Sequence, residues 1–259
     1  MNADPYQTCP GCGHEPLPAD QRLPAACPAC GIILAKVARA CAAEALSAEQ
    51  EPDDGAEQSL RERIVASVRF VPDRVEPATF WSRCALLLLF ALWGLRLIAL
   101  DYRTGEMMSS FLHGPLLVFH EAGHVIFSVL GEFVMVLGGS LAQLLMPAIL
   151  ATALLIRNRD PFGAAVGTWF FGVSLLDLAP YIYDSLHPQL VLLGGHTGEE
   201  GGHDWIYLLG ETGLLSHAHG LGALTHTLGA ALILLSIAWA GWILLKQKAR
   251  IAAAHAPFN

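Results

Sequence analysis

Residues 80–156 and 161–183 are nearly continuous hydrocarbon, and this constrains the fold more than any other feature of the chain. About 20 predominantly apolar residues suffice for a helix to cross a bilayer. On that measure five spans are predicted, over residues 81–100, 115–130, 140–156, 162–183 and 221–245. Gly114-Pro115 suits the start of the second span, because proline in a first helical turn forfeits no intrahelical hydrogen bond. Hydrophobic residues make up 54% of the chain, charged residues only 15%, and the mean hydropathy is +0.46. Many of the proline, acidic and arginine residues fall within 1–79. The expected fold is therefore mainly α: a polytopic membrane helical bundle carrying a small polar appendage at its amino-terminal end. The net charge of −8, with no basic tract, argues against a nucleic-acid partner. The polar, cysteine-bearing amino terminus predicts no signal peptide.

Basic clusters lie before Trp81, after Ile156 and after Leu245, and each favours the cytoplasmic side. Five simple crossings cannot satisfy all three. Either one apolar stretch is re-entrant or the last cluster breaks the rule. The segment from Arg61 to Phe80, with Arg61, Arg63, Arg69 and Arg74 among apolar residues, reads as a juxtamembrane piece on the cytoplasmic side, possible also as a solvated helix or strand.

Inside the second apolar run stands His120-Glu121-Ala122-Gly123-His124. Residues four apart share a helix face, so His120 and His124 can grip one metal ion. Glu121 projects from the flank of that face, where it can take a proton from an activated water. This is the HExxH arrangement of zinc hydrolases. An ordinary helix with two satisfied histidines could carry the same letters by chance. In hydrocarbon, however, an acidic side chain at mid-span costs roughly 2.5 kcal/mol or more. A bound divalent metal is the economical explanation for the cluster.

The amino-terminal segment has separate chemistry. Cys9-Pro10-Gly11-Cys12 and Cys27-Pro28-Ala29-Cys30 are two CxxC knuckles. Each can turn two thiolates onto one ion, and together they predict a closed, structural four-cysteine zinc site of zinc-ribbon type. Reduced thiolates place this end in the cytoplasm. So small a unit cannot bury much core, so the metal must supply its folding free energy. Cys41 and Cys84 read as bystanders. The predicted organisation is a ribbon and trailing helix over 1–46, a linker and juxtamembrane segment over 47–80, and a membrane-embedded domain over 81–250.

Phe119 to His124, followed by Gly139-Ser140-Leu141-Ala142-Gln143-Leu144-Leu145-Met146-Pro147, resembles the site-2 protease family of intramembrane zinc metalloproteases. The resemblance covers roughly residues 111–185. It implies a membrane-embedded core with HExxH on one helix, a catalytic zinc held by His120 and His124, and an aspartate ligand from a later helix. In many members that aspartate sits in a segment of the form N-L-L-P-x-P-x-L-D-G. Ser174 to Ser185 has a similar cadence, with different spacing and no glycine after Asp184, which makes Asp184 the implied third ligand.

Catalytic zinc typically keeps three protein ligands and a water, and other candidates for the third place remain open. Asp177 lies deeper in the fourth span and could instead pair with Arg96. His203-Asp204 follows the glycine-rich loop 194–202, read as a flexible connector that includes His196. The pair offers an imidazole, a carboxylate that orients one, or a helix cap at Asp204. His217, His219 and His226 read as interfacial residues. Phe133 to Leu137 is rich in β-formers and precedes Gly138-Gly139, which predicts an extended strand beside the metal, able to pair with an unwound substrate segment.

The expected activity is zinc-dependent endoproteolysis of transmembrane segments, with Glu121 as base and a membrane protein as substrate. The expected setting is a bilayer, a bacterial inner membrane, with the ribbon free to bind a protein partner. Two alternatives come from other classes: a membrane metal transporter or sensor, and a non-catalytic protease relative that serves as an interaction module.

Overall fold

A computed structural model describes residues 7–17, 25–34, 60–72 and 75–254. The chain divides into two compact units, Met1–Ser59 and Leu60–Asn259. The helix expected to leave the ribbon, beyond residue 34, and the acidic linker that follows lie outside the described residues.

In the first unit the two CxxC segments form matching tight turns. Gly13 N–H donates to the Cys9 carbonyl at 2.8 Å, and Gly31 N–H donates to the Cys27 carbonyl at 2.9 Å. Both glycines have left-handed backbone, at φ 72° and 75°, which a side chain would strain. An isolated antiparallel bridge joins Ala26 and Ile33.

The second unit is helical: α1 (Leu60–Arg69), α2 (Pro77–Ile98), α3 (His113–Phe127), α4 (Glu132–Ile156), α5 (Pro161–Asp184), α6 (Asp204–Glu211) and α7 (Ala218–Ala254). Short 3-10 turns lie between several of them. Among the described residues no β-strand forms beyond isolated bridges.

Four helices are long and apolar enough to cross a membrane: α2, α4, α5 and the long carboxy-terminal helix containing α7. The predicted second span is different. Its helix, α3, has 15 residues, hence a length of about 22 Å against a hydrocarbon core of about 30 Å. Helix α5 is the centre of the bundle, with 67% of its apolar window buried, whereas the corresponding figure for α2 is 11%. Outward-facing Leu88, Leu92, Ile149 and Leu235 are each more than half exposed. Apolar helices that present such side chains outward suit a lipid solvent.

Side-chain partners set the direction of each helix. Phe80 packs with Phe162 and Ala165, and Leu97 with Val173 and Leu176, so α2 runs parallel to α5. His113 meets Asp177, and His120 meets Tyr181, so α3 also runs parallel to α5. On α7, Ala218 packs with Ile182, Ile233 with Trp169 and Val173, and Ala240 with Phe162, which makes it antiparallel to α5. Helices α3 and α4 form an antiparallel hairpin.

The hairpin corrects one expectation. Phe133 to Leu137 is no strand; it lies in the opening turns of α4. Gly131, at φ 92°, turns the chain at the helix start, and the glycines read as strand punctuation are helix contacts. A Cβ on Gly123 would come within 2.1 Å of the Gly138 carbonyl oxygen, and one on Gly138 would come within 2.7 Å of Phe127 Cβ. Close backbone approach through small residues favours helix packing in an apolar setting. It outweighs the modest β-preference of Val134 and Val136.

Candidate functional site

The HExxH face of α3 looks across the hairpin onto α4, at the level where α5 ends. His120 is buried and His124 half-buried. His120 Nδ1 lies 3.1 Å from Gln143 Oε1, and Gln143 Nε2 donates to Asp177 Oδ2 at 2.8 Å. A carboxylate only accepts, so the Gln143 amide is fixed with its oxygen toward His120, and Nδ1 carries the imidazole proton. His124 Nδ1 donates to the Met135 carbonyl at 2.9 Å. Both rings therefore leave Nε2 with a free lone pair, the state of a histidine ready to ligate a metal.

The two Nε2 atoms converge on Asp204. Asp204 Oδ2 is 2.8 Å from His120 Nε2 and 3.3 Å from His124 Nε2. One donor atom from each residue lies within 4.8 Å of the other two, a group able to hold a metal ion. Tetrahedral bonds of ~2.0–2.1 Å place ligand atoms about 3.3 Å apart, so the spacing fits a small divalent cation. Space is reserved for it. A Cβ on Gly139 would sit 2.6 Å from both Nε2 atoms, so only glycine leaves the donors clear.

The other third-ligand candidates stand elsewhere. Asp184, the implied ligand, lies outside the His120–His124–Asp204 group. It ends α5, its Oδ1 accepts the N–H groups of Gln189 and Leu190 at 2.8 and 3.1 Å, and its Oδ2 faces His203 Nε2 at 3.5 Å. The physical reason is directional: Asp184 closes the turn that follows α5, so its carboxylate is engaged by the outgoing chain. Asp177 pairs with His113 Nδ1 at 2.9 Å and with Gln143, not with Arg96. His203 is the N-cap of α6, its Nδ1 accepting Ile206 N–H at 3.4 Å. Asp204 is thus freed from the capping role considered for it.

Three participants carried little sequence signal. Gln143 was a lone amide in an apolar run, a residue type that in a membrane helix points to function. Tyr181, whose hydroxyl accepts Asp204 N–H at 3.0 Å, had none. The Met135 carbonyl is a backbone group and invisible to residue type.

Glu121 lines the same cavity as the three donors, a space of about 530 Å³. Its walls also include Leu117, Val136, Leu178 and Leu192, so polar donors and apolar side chains share one open cavity. His196, read as part of a flexible connector, also lines it. That loop is ordered by a bridge between Val191 and Thr197 and by Leu192 N–H donating to the His196 carbonyl at 2.8 Å. Of the remaining histidines, His219 stacks on Tyr183 at 4.1 Å and His226 packs on Tyr102 at 4.7 Å, away from the donor group.

The four cysteines of the first unit form the second group able to hold a metal. Cys9 and Cys30 Sγ atoms are 3.7 Å apart, and those of Cys12 and Cys27 are 3.8 Å apart. Tetrahedral metal–sulfur bonds of ~2.3 Å give an edge of about 3.8 Å. Burial works against ionising Cys9, yet the Gly11 and Cys12 backbone amides and neighbouring thiols bring its thiol down to about 7. The Cys30 and Ala29 backbone amides likewise lower the Cys27 thiol, against the effect of burial. The His14 backbone amide works to lower the Cys12 thiol, but the neighbouring thiols and burial push it up to about 12. Thiolates are the ligating form, so ligation at Cys12 requires displacing its proton.

Fold and site together define a mainly helical chain with four helices long and apolar enough to cross a membrane, and with two groups able to hold a metal ion, one of four thiols and one of two imidazoles and a carboxylate. No family model, curated protein or solved structure matches the chain.

Proposed function

We propose that the chain is a zinc-dependent intramembrane endopeptidase of site-2-protease type, which hydrolyses peptide bonds in the transmembrane segments of other proteins. The observation that carries this reading is the convergence of His120, His124 and Asp204 beside Glu121, on one cavity inside an apolar bundle. His120, His124 and Asp204 would hold a divalent ion there, and such an ion would supply a water of pKa near ~7 and polarise a carbonyl. Glu121 takes the proton released by the attacking water and returns it to the leaving amine. Gln143 and the Met135 carbonyl hold the two imidazoles so that both present Nε2. The apolar part of the cavity wall is suited to accept an unwound hydrophobic segment.

The four-cysteine group reads as a structural zinc site in a ribbon: four protein ligands leave no open position for chemistry. It is free to act as a docking module for a protein partner. Convergence of the membrane donors on one point, rather than in a file through the bundle, favours hydrolysis over metal transport.

The helix directions support an orientation. Helices α2 and α3 run the same way, so together they make one passage, and α4, α5 and α7 make three more. Four passages put the basic residues before Trp81, after Ile156 and after Leu245 on one side. We assign that side to the cytoplasm, with a bacterial inner membrane as the setting.

The test is hydrolysis by the purified full chain in lipid vesicles, with single-span polypeptides as substrates and mass spectrometry as the readout. Cleavage inside the apolar segment, abolished by a chelator and restored by zinc, is expected. Cleavage that survives chelation would remove the metal from the reaction.

A further inference from the structure

We propose that Asp184 and His203 form a buried clamp that positions Asp204 for the metal, so that Asp184 acts as a positioning residue and not as a ligand. The argument begins with the proton on His203. Its Nδ1 accepts Ile206 N–H, so the ring proton must sit on Nε2. That atom faces Asp184 Oδ2 at 3.5 Å. Both atoms are buried, and neither has a hydrogen-bond partner. The contact of a neutral imidazole N–H with the carboxylate oxygen is the polar interaction that offsets their burial. Asp184 Oδ1 is already committed to Gln189 and Leu190 N–H, so this carboxylate ties down both the start and the end of the segment that leads from α5 to α6.

Tyr181 completes the clamp. Tyr181 and Asp184 are three residues apart near the end of α5, where such residues share a face. The Tyr181 ring lies against the His203 ring, with centroids 4.2 Å apart and planes 33° apart. Its hydroxyl accepts the Asp204 N–H. One turn of α5 thus grips both members of the His203–Asp204 pair: the first by ring contact and by the Asp184 carboxylate facing its N–H, the second by its backbone amide. Asp204 reaches His120 across 84 positions of sequence, and it sits at the start of an eight-residue helix. That helix is too short to hold its own register without tertiary contacts. A fixed anchor one residue before the ligand restricts where the carboxylate can point.

The proposal rests on the peptidase reading in one respect, that His120, His124 and Asp204 hold a metal. It is tested on the purified full chain by chelator competition and by cobalt substitution, with the four-cysteine metal as an internal reference. Asp204→Asn is expected to abolish the second metal equivalent. Asp184→Asn and His203→Gln are expected to keep it with affinity weakened about 10–100-fold. Because the two residues share a contact, the loss in the double variant is expected to be less than the sum of the two single losses. Against the wild-type cobalt protein, Asp204→Cys is expected to add a thiolate-to-cobalt charge-transfer band, and Asp184→Cys to add none.

A new band from Asp184→Cys but not from Asp204→Cys would make Asp184 the ligand and overturn the clamp. Wild-type affinity in both Asp184→Asn and His203→Gln would also overturn it, as would additive losses in the double variant. A wild-type chain that binds only the four-cysteine metal would overturn the metal reading itself, and is distinguishable because no variant would then change the metal count.

Discussion

At the scale of single residues, the decisive property of the site is the placement of protons and of empty space. His120 and His124 are usable as ligands because acceptors on α4 take their Nδ1 protons, and because Gly139 has no side chain to fill the gap before them. Gln143 is the most exposed point of this arrangement to mutation, since it is almost wholly buried and joins His120 to Asp177. Gln143→Leu removes the acceptor for His120 and leaves Asp177 Oδ2 without its amide donor, while Oδ1 keeps His113. The expected outcome is a fall of about 10–100-fold in affinity for the second metal, with the four-cysteine metal unchanged, as measured by chelator competition. The HExxH residues were legible because their geometry is local, a matter of helical spacing alone. Asp204 could be narrowed only to a set of candidates. Its approach to His120 depends on how the chain returns after α5, and no periodicity encodes that.

At the scale of elements, the helices were legible because hydrocarbon runs of this length leave the backbone few options. The exception was Phe133 to Leu137, where local β-preference pointed one way and packing went the other. The Gly123–Gly138 contact explains the outcome, and it predicts a specific fragility. Gly123→Ala places a methyl within 2.1 Å of a backbone oxygen that cannot move aside as a flexible side chain would. Overpacking of this kind costs about 1–3 kcal/mol, so a lowered thermal midpoint is expected, together with loss of the second metal as α3 and α4 separate. Gly114→Ala meets nothing within 4 Å and serves as the control. Helix α3 also explains why span counting from hydropathy gave five: a 15-residue apolar helix continuing the direction of α2 looks like a separate crossing when only composition is read.

At the scale of the whole molecule, the directions of α2 and α3 remove the conflict among the basic clusters. Single cysteines introduced at Asn158 and Gln189, in a background where the native cysteines outside the four-thiol group are replaced, test this by labelling with a membrane-impermeant maleimide. Asn158 follows α4 at the end expected in the cytoplasm, and Gln189 follows α5 at the opposite end. In intact cells Gln189→Cys is expected to react and Asn158→Cys to react only after lysis. The reverse pattern would invert the orientation, and equal labelling would contradict four passages. The metal count belongs to this scale too. Two ions per chain are expected, with one lost when Cys9 and Cys12 are replaced by serine, because the two donor groups lie in separate units.

The central claim is that Glu121 acts as a base beside a metal held by His120, His124 and Asp204. Its most direct test is the cleavage rate of a single-span substrate by Glu121→Gln, measured on a preparation whose metal content is determined in parallel. The account predicts two metal ions per chain, as in the wild type, and a cleavage rate reduced by at least about 100-fold, since a positioned general base contributes roughly 10²–10⁴. Cleavage at the wild-type rate by that metal-replete variant would contradict it.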